Sequence, residues 1–340
     1  MFYRFRIVFC ASLLLLIGCS DKLVSTEFSG PIMGTGYNVK IISDSSISPE
    51  QYQTLSDGIL VKLNAVDAAL STYKPSSELM RFNELDVGES LVVSEDTFGI
   101  VELSLLLLKK SGGYFDPSIG PLVSAWGFGA QATPDSASAP SEKEIASLLE
   151  GSQMRMVELV PETRALLKAS EGFMDLSAIA KGFAVDKVHE YLIHQGFTDF
   201  MVEVGGEVSV SGLNASRQNW RLGIERPDFG SRTAYTIAHI SDVAMATSGD
   251  YRNFIGGGES RYSHTINPIT GYPARTDLAS VSVIATSCAL ADAWATAFMA
   301  MGYERAIKLA DELGLAVYFI RRSDTGFVAA TSQAMKQYLK

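Results

Sequence analysis

A run of small and apolar residues near the C-terminus, A-L-A-D-A-W-A-T-A at residues 289–297, constrains this chain most strongly. The run is typical of an α-helix, in which Asp292 and Thr296, four residues apart, lie on one face. A carboxylate and a hydroxyl stacked in this way offer hard oxygen ligands, which suit a cation such as Mg²⁺. The sequence therefore predicts a metal-binding helix here.

A second run, D-L-S-A-I-A-K-G-F-A-V-D at residues 175–186, contains Lys181 as its only cation. The lysine follows a turn of small residues, and a phosphate close to backbone N–H groups and an ammonium would be well held. A lysine that opens a helix is also commonly just solvated, so both interpretations stay open. If the two runs meet in space, they predict a site for a phosphate-bearing ligand.

The N-terminus predicts export and lipidation. A basic start precedes an apolar run, residues 7–17, that is too short to span a bilayer comfortably and ends in Gly18-Cys19. This pattern is typical of a bacterial signal peptide. Its end resembles a lipobox, in which Cys19 becomes the lipidated first residue and lipid holds the protein at a membrane surface. A plain signal peptide or an anchor helix is the alternative.

Length, cysteine count and charge limit the remaining possibilities. We expect a signal at residues 1–19, a tether at residues 20–29 and one folded unit at residues 30–340, without a later transmembrane helix. Once Cys19 is lipidated, Cys288 is the only other cysteine in the mature chain, so no intramolecular disulfide can form. The net charge of -10 argues against nucleic acid as a partner. An acidic protein that binds a phosphate ligand must neutralise charge locally, and a bound divalent cation would do so.

Helical and strand patterns alternate irregularly along the chain. The first helix follows a capping box at Ser48 and ends near Ser71-Thr72-Tyr73, before Pro75. Further helices are predicted at residues 94–110, 181–195, 289–301 and 304–313, with a short one from residue 141. A turn followed by a strand is predicted at residues 31–42, and strands are predicted at residues 200–204, 207–211, 220–225, 235–240, 243–246, 279–285 and 316–320. Because no regular β-α-β alternation is present, the pattern predicts an α+β fold rather than a doubly wound sheet.

Two glycine-rich stretches leave the role of their other side chains open. Met33 precedes Gly34 in a turn that either is an ordinary strand connection or lets the backbone approach a ligand. Asp116 stands before a proline and either caps the following turn or hydrogen-bonds a ligand. The paired glycines of residues 203–207, E-V-G-G-E, are sufficiently explained as a tight turn or bulge.

Two further loops carry candidate ligand-binding and proton-transfer groups. Thr247, Ser248 and Asp250 follow a strand and either bind phosphate or sugar oxygens or form an ordinary capped turn. His264 lies among hydroxyl residues and can move a proton near neutral pH, although a lone exposed histidine usually has no such role. The sequence contains no Walker loop, Rossmann fingerprint or nucleophile elbow.

Eight short motifs, taken in order, resemble one family, the FAD:protein FMN transferases or ApbE family. The resemblance runs from about residue 30 to the C-terminus, and the lipobox agrees with it. The motifs are M-G-T, L-S-T-Y, F-D-P-S-I-G-P-L-V with W-G-F-G, D-L-S-A-I-A-K-G, V-E-V-G-G-E, A-T-S-G-D-Y, S-H-T-I-N-P-I-T-G and A-D-A-W-A-T-A.

The resemblance implies an α+β flavin transferase fold, with mixed or antiparallel sheets and packed helices around a central FAD cleft. Mg²⁺ is the implied cofactor, and its implied ligands are Asp292, Thr296 and the backbone carbonyl of Ala178, together with FAD phosphate oxygens. The implied wall of the cleft consists of Met33, Ser71, Thr72, Tyr73, Asp116, Lys181, His264 and Ile266.

The implied reaction cuts the FAD pyrophosphate, attaches the FMN half through a phosphoester to a Ser or Thr of another protein, and releases AMP. Lys181 can neutralise charge on the phosphoryl oxygens. His264 is our first candidate for the acceptor of the hydroxyl proton, and Asp250 is the second. The family often has Asp where this chain has Asn267, so a carboxylate role is excluded there and we interpret the position as structural.

Two alternatives to transfer remain open: a hydrolase that splits FAD to FMN and AMP, and a lipid-anchored flavin-binding protein without catalysis. An aromatic at Tyr73 would narrow the ligand channel, which mildly favours transfer. By resemblance, the acceptor is a subunit of a membrane redox pump, such as the Na⁺-translocating NADH:quinone reductase or the Rnf type. We expect a lipid-anchored protein on the periplasmic side of the bacterial membrane, with the inner membrane favoured.

Overall fold

The computed structural model describes residues 23–129, 139–228, 233–250, 254–255 and 262–340. The predictions for the signal peptide and for Cys19 lie outside these residues. The helices are α1 (Pro49–Leu70), α2 (Glu78–Asn83), α3 (Glu95–Lys110), α4 (Gly120–Ala125), α5 (Glu142–Glu150), α6 (Ser177–His194), α7 (Cys288–Met301) and α8 (Tyr303–Leu313). Across these ranges, no helix combines the length and the apolar character that a membrane crossing requires.

The strands form one large sheet and three small ones. They are β1 (Val24–Ile32), β2 (Thr35–Ser43), β3 (Ser90–Val92), β4 (Val157–Val160), β5 (Ala165–Lys168), β6 (Phe200–Val204), β7 (Glu207–Ser211), β8 (Trp220–Glu225), β9 (Ala234–Ile240), β10 (Val243–Gly249), β11 (Phe254–Ile255), β12 (Tyr262–Ser263), β13 (Leu278–Ala285), β14 (Ala316–Ser323) and β15 (Gly326–Thr331). The large sheet has the order β1-β2-β6-β7-β10-β13-β14-β15, and its neighbouring strands are antiparallel. Antiparallel sheets with packed helices confirm the predicted α+β class.

The large sheet is covered on both faces, which explains why its central strands are apolar on both sides. On one face, α1, α6 and α7 enclose the main core, to which β13 contributes Val281 and Val283. On the other face, the β8–β9 hairpin and the C-terminal 3-10 turn enclose a second core, which includes Ala279 and Ile284 of the same strand. Val283 and Ile284 point to opposite faces, as successive strand residues do. The register shift between Leu278 and Ser280 accounts for Ala279 lying on the second face although Val281 lies on the first.

The first hairpin corrects the predicted tether. β1 pairs with β2 along its whole length, and the turn between them consists of Met33 and Gly34, with φ of +47° and +71°. Positive φ at both central residues is typical of the tight turns that match the twist of a hairpin. The tether prediction is wrong for residues 24–29, because this strand buries only Phe28 and Ile32 and so leaves little hydrophobic signal.

Capping bonds explain why the sequence predicts the ends of α1 correctly but not the start of α6. Ser48 Oγ accepts the Gln51 N–H at the start of α1, and Ser71 caps its end, as predicted. The start of α6 at Ser177 lies four residues before the predicted one. Leu176 occupies the cap position without a side-chain bond, and Asp175 accepts the Ser177 N–H instead, so the usual cap signal is missing.

Helices α6 and α7 approach each other closely at Gly182. A β-carbon placed on Gly182 would lie 2.4 Å from the carbonyl oxygen of Cys288, so only glycine permits this approach. Hydrogen bonds join the two helices on both sides of this point. Asp186 of α6 accepts the N–H groups of Cys288 and Ala289 at 2.7 and 2.9 Å, and Asp292 of α7 accepts the Gly182 N–H at 3.1 Å.

Replacing Gly182 by alanine should therefore destabilise the protein, because the new methyl group must push α7 away. We expect the Gly182→Ala variant to lose about 1–3 kcal/mol of unfolding free energy in urea titrations. Gly99→Ala in α3 is the matched control, since nothing lies within 4 Å of its added β-carbon. The control should be neutral or gain about 0.5–1 kcal/mol. Equal stability of Gly182→Ala and the wild type would contradict the close packing.

Candidate active site

A cavity of about 850 Å³ lies beside the start of α6, the start of β7, the end of β10 and the middle of α7. Its volume is in the range of sites for cofactor-sized ligands. Nine of the predicted site residues line it, from five separate stretches of the chain: Asp116, Ala178, Lys181, Thr247, Ser248, His264, Ile266, Asp292 and Thr296. The two runs that the sequence singled out therefore meet in space.

The wall of the cavity contains an ammonium group between two buried carboxylates. Lys181 Nζ lies 3.2 Å from Glu207 Oε1 and 3.6 Å from Asp292 Oδ2. Asp292 and Glu207 are 3% and 4% exposed, whereas the lysine side chain reaches the cavity. Buried charges persist only when they are paired, so these three groups hold one another in place.

The cluster shifts the pKa of each of its members. Burial alone would lower the pKa of Lys181, but attraction by Asp292 and Glu207 outweighs burial and raises it, so the ammonium stays charged at neutral pH. Burial raises the pKa of Asp292, although Lys181 opposes that shift. Burial and then the charge of Asp292 raise the pKa of Glu207 to about 8.

Asp292 and Thr296 lie one turn apart on α7 and both face the cavity, as the spacing predicts. The Thr296 hydroxyl lies 3.2 Å from the Ser248 hydroxyl of β10, while Thr247 is 2.7 Å from Ser282 of β13. The strand and the helix thus present hydroxyl groups to one another at the cavity wall.

Ala178 lies in the first turn of α6 and lines the same cavity. In a regular α-helix, the Gly182 N–H donates to the carbonyl of Ala178; here this N–H also donates to Asp292 Oδ2. A carboxylate, a hydroxyl and a backbone carbonyl are all hard oxygen donors, so the three predicted ligands fit Mg²⁺ chemically. Within the described part of the chain, no group of three His, Cys, Asp or Glu residues could hold a metal on its own.

His264 follows β12 and lines the cavity, with its ring edge-on to Phe128 at a centroid distance of 6.3 Å. The loop after it is fixed by Asn267, whose amide nitrogen donates to the Ala300 carbonyl at the end of α7. The amide oxygen of Asn267 accepts the Ile269 N–H at 2.9 Å. The structural role predicted for Asn267 is confirmed.

Asp116 lines the cavity, but its carboxylate caps the following turn. Of the two roles that the sequence allows, capping and ligand binding, the structure shows the first. Oδ1 accepts bonds from the N–H and the hydroxyl of Ser118, and Oδ2 accepts the N–H of Gln153 at 2.5 Å. Asp116 is buried and holds the turn at Gln153 and Met154, two non-glycine residues with positive φ. Its contribution to the site is to shape the wall.

Four residues placed in the cleft by resemblance do not line this cavity. Ser71 caps the end of α1, and Thr72 and Tyr73 follow it, with Tyr73 74% exposed. Met33 lies in the β1–β2 turn and packs against the main core. Their prediction as part of the wall is not supported, because the position of a helix end or a hairpin turn depends on packing between distant segments.

Asp250 is also absent from the cavity wall. Its two oxygens accept bonds from Arg322 Nη2 and Nη1 at 2.5 and 2.8 Å. This two-point pair fixes the orientation of the carboxylate and ties the end of β10 to β14. Because both of its oxygens are bound to Arg322, 72 residues away, Asp250 is a weaker candidate for the base than His264.

Sequence reasoning missed Glu207 as a site residue. The E-V-G-G-E run does form the predicted tight connection, with φ of +63° and +107° at Gly205 and Gly206. The overlooked signal is that a glutamate directly after this turn begins β7, a strand buried along its whole length. A carboxylate in such a strand requires a cationic partner, which Lys181 provides.

Comparisons with known proteins agree on one family. A model of the ApbE family matches residues 33–319. The chain is 40% identical over 334 residues to the FAD:protein FMN transferase of Vibrio cholerae, with 98% of both chains covered. It is 35% identical over 334 residues to the FAD:protein FMN transferase of Haemophilus influenzae, with 97% of this chain and 96% of that protein covered.

Solved structures show the same fold. The flavin transferase ApbE from Vibrio cholerae superimposes with a TM-score of 0.84 at 38% identity, covering 93% of this chain and all of that one (100%). The apo form of the flavinyl transferase ApbE from Pseudomonas stutzeri gives a TM-score of 0.84 at 32% identity, covering 93% and 97%. Sequence and fold match over nearly the whole chain, which shows that this protein belongs to the ApbE family.

Proposed function

We propose that this protein transfers the FMN part of FAD to a serine or threonine hydroxyl of an acceptor protein and releases AMP. The observation that carries this function is the convergence of Lys181, Asp292, Thr296 and His264 on one cavity. Relatives that match along the whole chain are FAD:protein FMN transferases, which supports the same reaction here.

Asp292, Thr296 and the carbonyl of Ala178 would hold Mg²⁺, since their oxygens are the donors that this ion prefers. When bound, Mg²⁺ neutralises charge on phosphate oxygens and orients them for displacement. Lys181 contributes a second positive charge at the same wall, and its raised pKa keeps that charge present at neutral pH.

The transfer step needs a nucleophile, a proton acceptor and a leaving group. The acceptor hydroxyl oxygen forms a bond to the flavin-side phosphorus, the bond from this phosphorus to the bridging oxygen breaks, and AMP leaves with that oxygen. The hydroxyl proton passes to His264, which lines the cavity, whereas Asp250 is paired with Arg322. Lys181 offsets the charge that builds on the phosphoryl oxygens.

Hydrolysis of FAD and flavin binding without catalysis remain as outcomes to be tested. Tyr73 is exposed and does not line the cavity, so it gives no support for a narrowed channel that favours transfer. One incubation with FAD, Mg²⁺ and a candidate acceptor separates the three functions. Covalent flavin fluorescence on the acceptor indicates transfer, free FMN alone indicates hydrolysis, and unchanged FAD indicates binding only.

The Asp292→Asn variant tests the metal-binding carboxylate, because an amide oxygen is a poor ligand for Mg²⁺. We expect transfer to fall by roughly 100-fold or more, with part of the loss recovered at high Mg²⁺. Glu312→Gln, which neutralises an exposed acid on α8, is the matched control and should leave transfer unchanged. Full activity of Asp292→Asn in this assay would refute the metal assignment.

His264→Asn removes the proposed proton acceptor. We expect kcat to fall by roughly 10²–10⁴-fold while the dissociation constant for FAD changes much less. His194→Asn, an exposed histidine at the end of α6, should behave as the wild type. A His264 variant that loses FAD binding in proportion to its rate would instead indicate that the histidine only binds the ligand.

The location and the acceptor are part of the same proposal. Lipid on Cys19 would hold the enzyme on the periplasmic side, with the inner membrane favoured, near a redox-pump subunit of the Na⁺-translocating NADH:quinone reductase or Rnf type. The signal-like segment before Cys19 supports this location.

A Cys19→Ser variant should therefore move from the membrane pellet to the soluble fraction after cell lysis, because it cannot carry the lipid. The wild type is the comparison in the same fractionation. Recovery of the unaltered protein from the soluble fraction would argue against the anchor.

A further inference from the structure

One carboxylate oxygen of Glu207 stands apart from the ion pair with Lys181. Oε1 pairs with Lys181 Nζ at 3.2 Å, but Oε2 is buried without a hydrogen-bond partner among the described residues. A buried carboxylate oxygen without a donor is costly, and folded proteins rarely tolerate one. Glu207 lines the cavity, so a bound ligand would be the source of such a donor.

The surroundings place Glu207 at the cavity wall. Glu207 and the preceding Gly205 both line the cavity. A β-carbon on Gly205 would lie 3.4 Å from Oε2, 3.3 Å from Lys181 Cδ and 2.9 Å from the Thr35 methyl group. The bare backbone of Gly205, with φ of +63°, therefore allows the lysine and the carboxylate to meet at this point.

Charge balance explains only one oxygen of the second carboxylate. Asp292 lies 3.6 Å from the Lys181 ammonium, but a bound Mg²⁺ would share the charge of Asp292, which leaves Glu207 as the counter-charge of the lysine. That ion pair uses Oε1 at 3.2 Å and not Oε2. The second oxygen contributes to a phosphate-binding site if it accepts a hydrogen bond from another part of the same ligand.

We propose that Glu207 is a further substrate-binding residue, whose Oε2 accepts a hydrogen bond from a hydroxyl group next to the phosphates of the bound dinucleotide. In FAD, such hydroxyls belong to the ribityl chain on the flavin side and to the ribose on the adenosine side. The chemistry that Oε2 recognises is the same for both, and phosphate oxygens cannot supply it. This inference rests on the proposed function only in taking FAD as the ligand.

Glu207→Gln tests the contact, because the neighbouring ammonium fixes the orientation of the new amide. Lys181 requires an acceptor, so the glutamine oxygen takes the place of Oε1 and its NH₂ group takes the place of Oε2. The ligand hydroxyl can accept a bond from this group, so the variant replaces a charge-assisted hydrogen bond by a neutral one. Dissociation constants should be measured calorimetrically at about pH 8.5, where the wild-type carboxylate is largely ionised, for FAD, FMN, ADP and inorganic pyrophosphate.

We expect Glu207→Gln to weaken FAD binding about 5- to 10-fold, the difference between a charge-assisted and a neutral hydrogen bond. If the hydroxyl is on the ribityl chain, binding of FMN should weaken by the same factor as binding of FAD. If the hydroxyl is on the ribose, binding of ADP should weaken by that factor instead. Pyrophosphate, which has no sugar hydroxyl, should bind as well as before or more tightly, since a negative charge has been removed.

Glu203→Gln is the matched control, because Glu203 lies on the same β6–β7 hairpin and does not line the cavity, and glutamine keeps an oxygen that can accept the Gly206 N–H. Thermal unfolding of both variants checks the fold. If Glu207→Gln does not fold, Glu207→Asp replaces it in the experiment. This variant retracts the carboxylate by one methylene and should also weaken the binding of FAD.

Two results would overturn the inference. Unchanged binding of FAD, FMN and ADP would show that Oε2 contacts no ligand. An equal loss for pyrophosphate would show that Glu207 only positions Lys181. Failure of the wild type to bind FAD would instead refute the proposed function, so the two failures are distinguishable.

Discussion

The buried carboxylate of Asp292 is the group on which the rest of the site depends. Its removal from water is compensated by the Gly182 N–H at 3.1 Å and by the Lys181 ammonium at 3.6 Å, both from α6. These bonds form only because Gly182 lets α7 approach α6 closely. The same crossing places Thr296 one turn further along the wall and sets Lys181 opposite the start of β7. The packing of two helices thus fixes the positions of the charged groups.

Local sequence signals predicted those elements whose boundaries are set by local bonds. Helix α1 has its serine cap and its apolar stripe, and α7 has a continuous run of helix-forming residues, so both were found. The side-by-side placement of Asp292 and Thr296 followed from helical spacing alone. Helix α6 began earlier than predicted and β1 was missed, because a cap from Asp175 and a mostly exposed hairpin strand give weak signals.

Long-range partners decided the parts of the site that the sequence could not predict. Asp250 is held by Arg322 from a strand near the C-terminus, and nothing near Asp250 in the sequence indicates this pair. The carboxylate of Asp116 is used by the backbone at Gln153, again across a long separation. The sequence around Glu207 predicts only a tight turn, and the partner of its carboxylate, Lys181, comes from a different segment of the chain. Side chains whose role depends on such contacts require the folded structure.

A crystal soaked with FAD and Mn²⁺ tests the organisation of this site most directly, because anomalous scattering locates the ion. We expect the strongest anomalous peak within about 2.0–2.3 Å of oxygens from Asp292, Thr296 and Ala178. Phosphate oxygens of FAD should complete the coordination shell, with Lys181 against the same phosphates. An ion found elsewhere, with the flavin outside this cavity and Asp292 still bound only to Gly182 and Lys181, would contradict the proposed site.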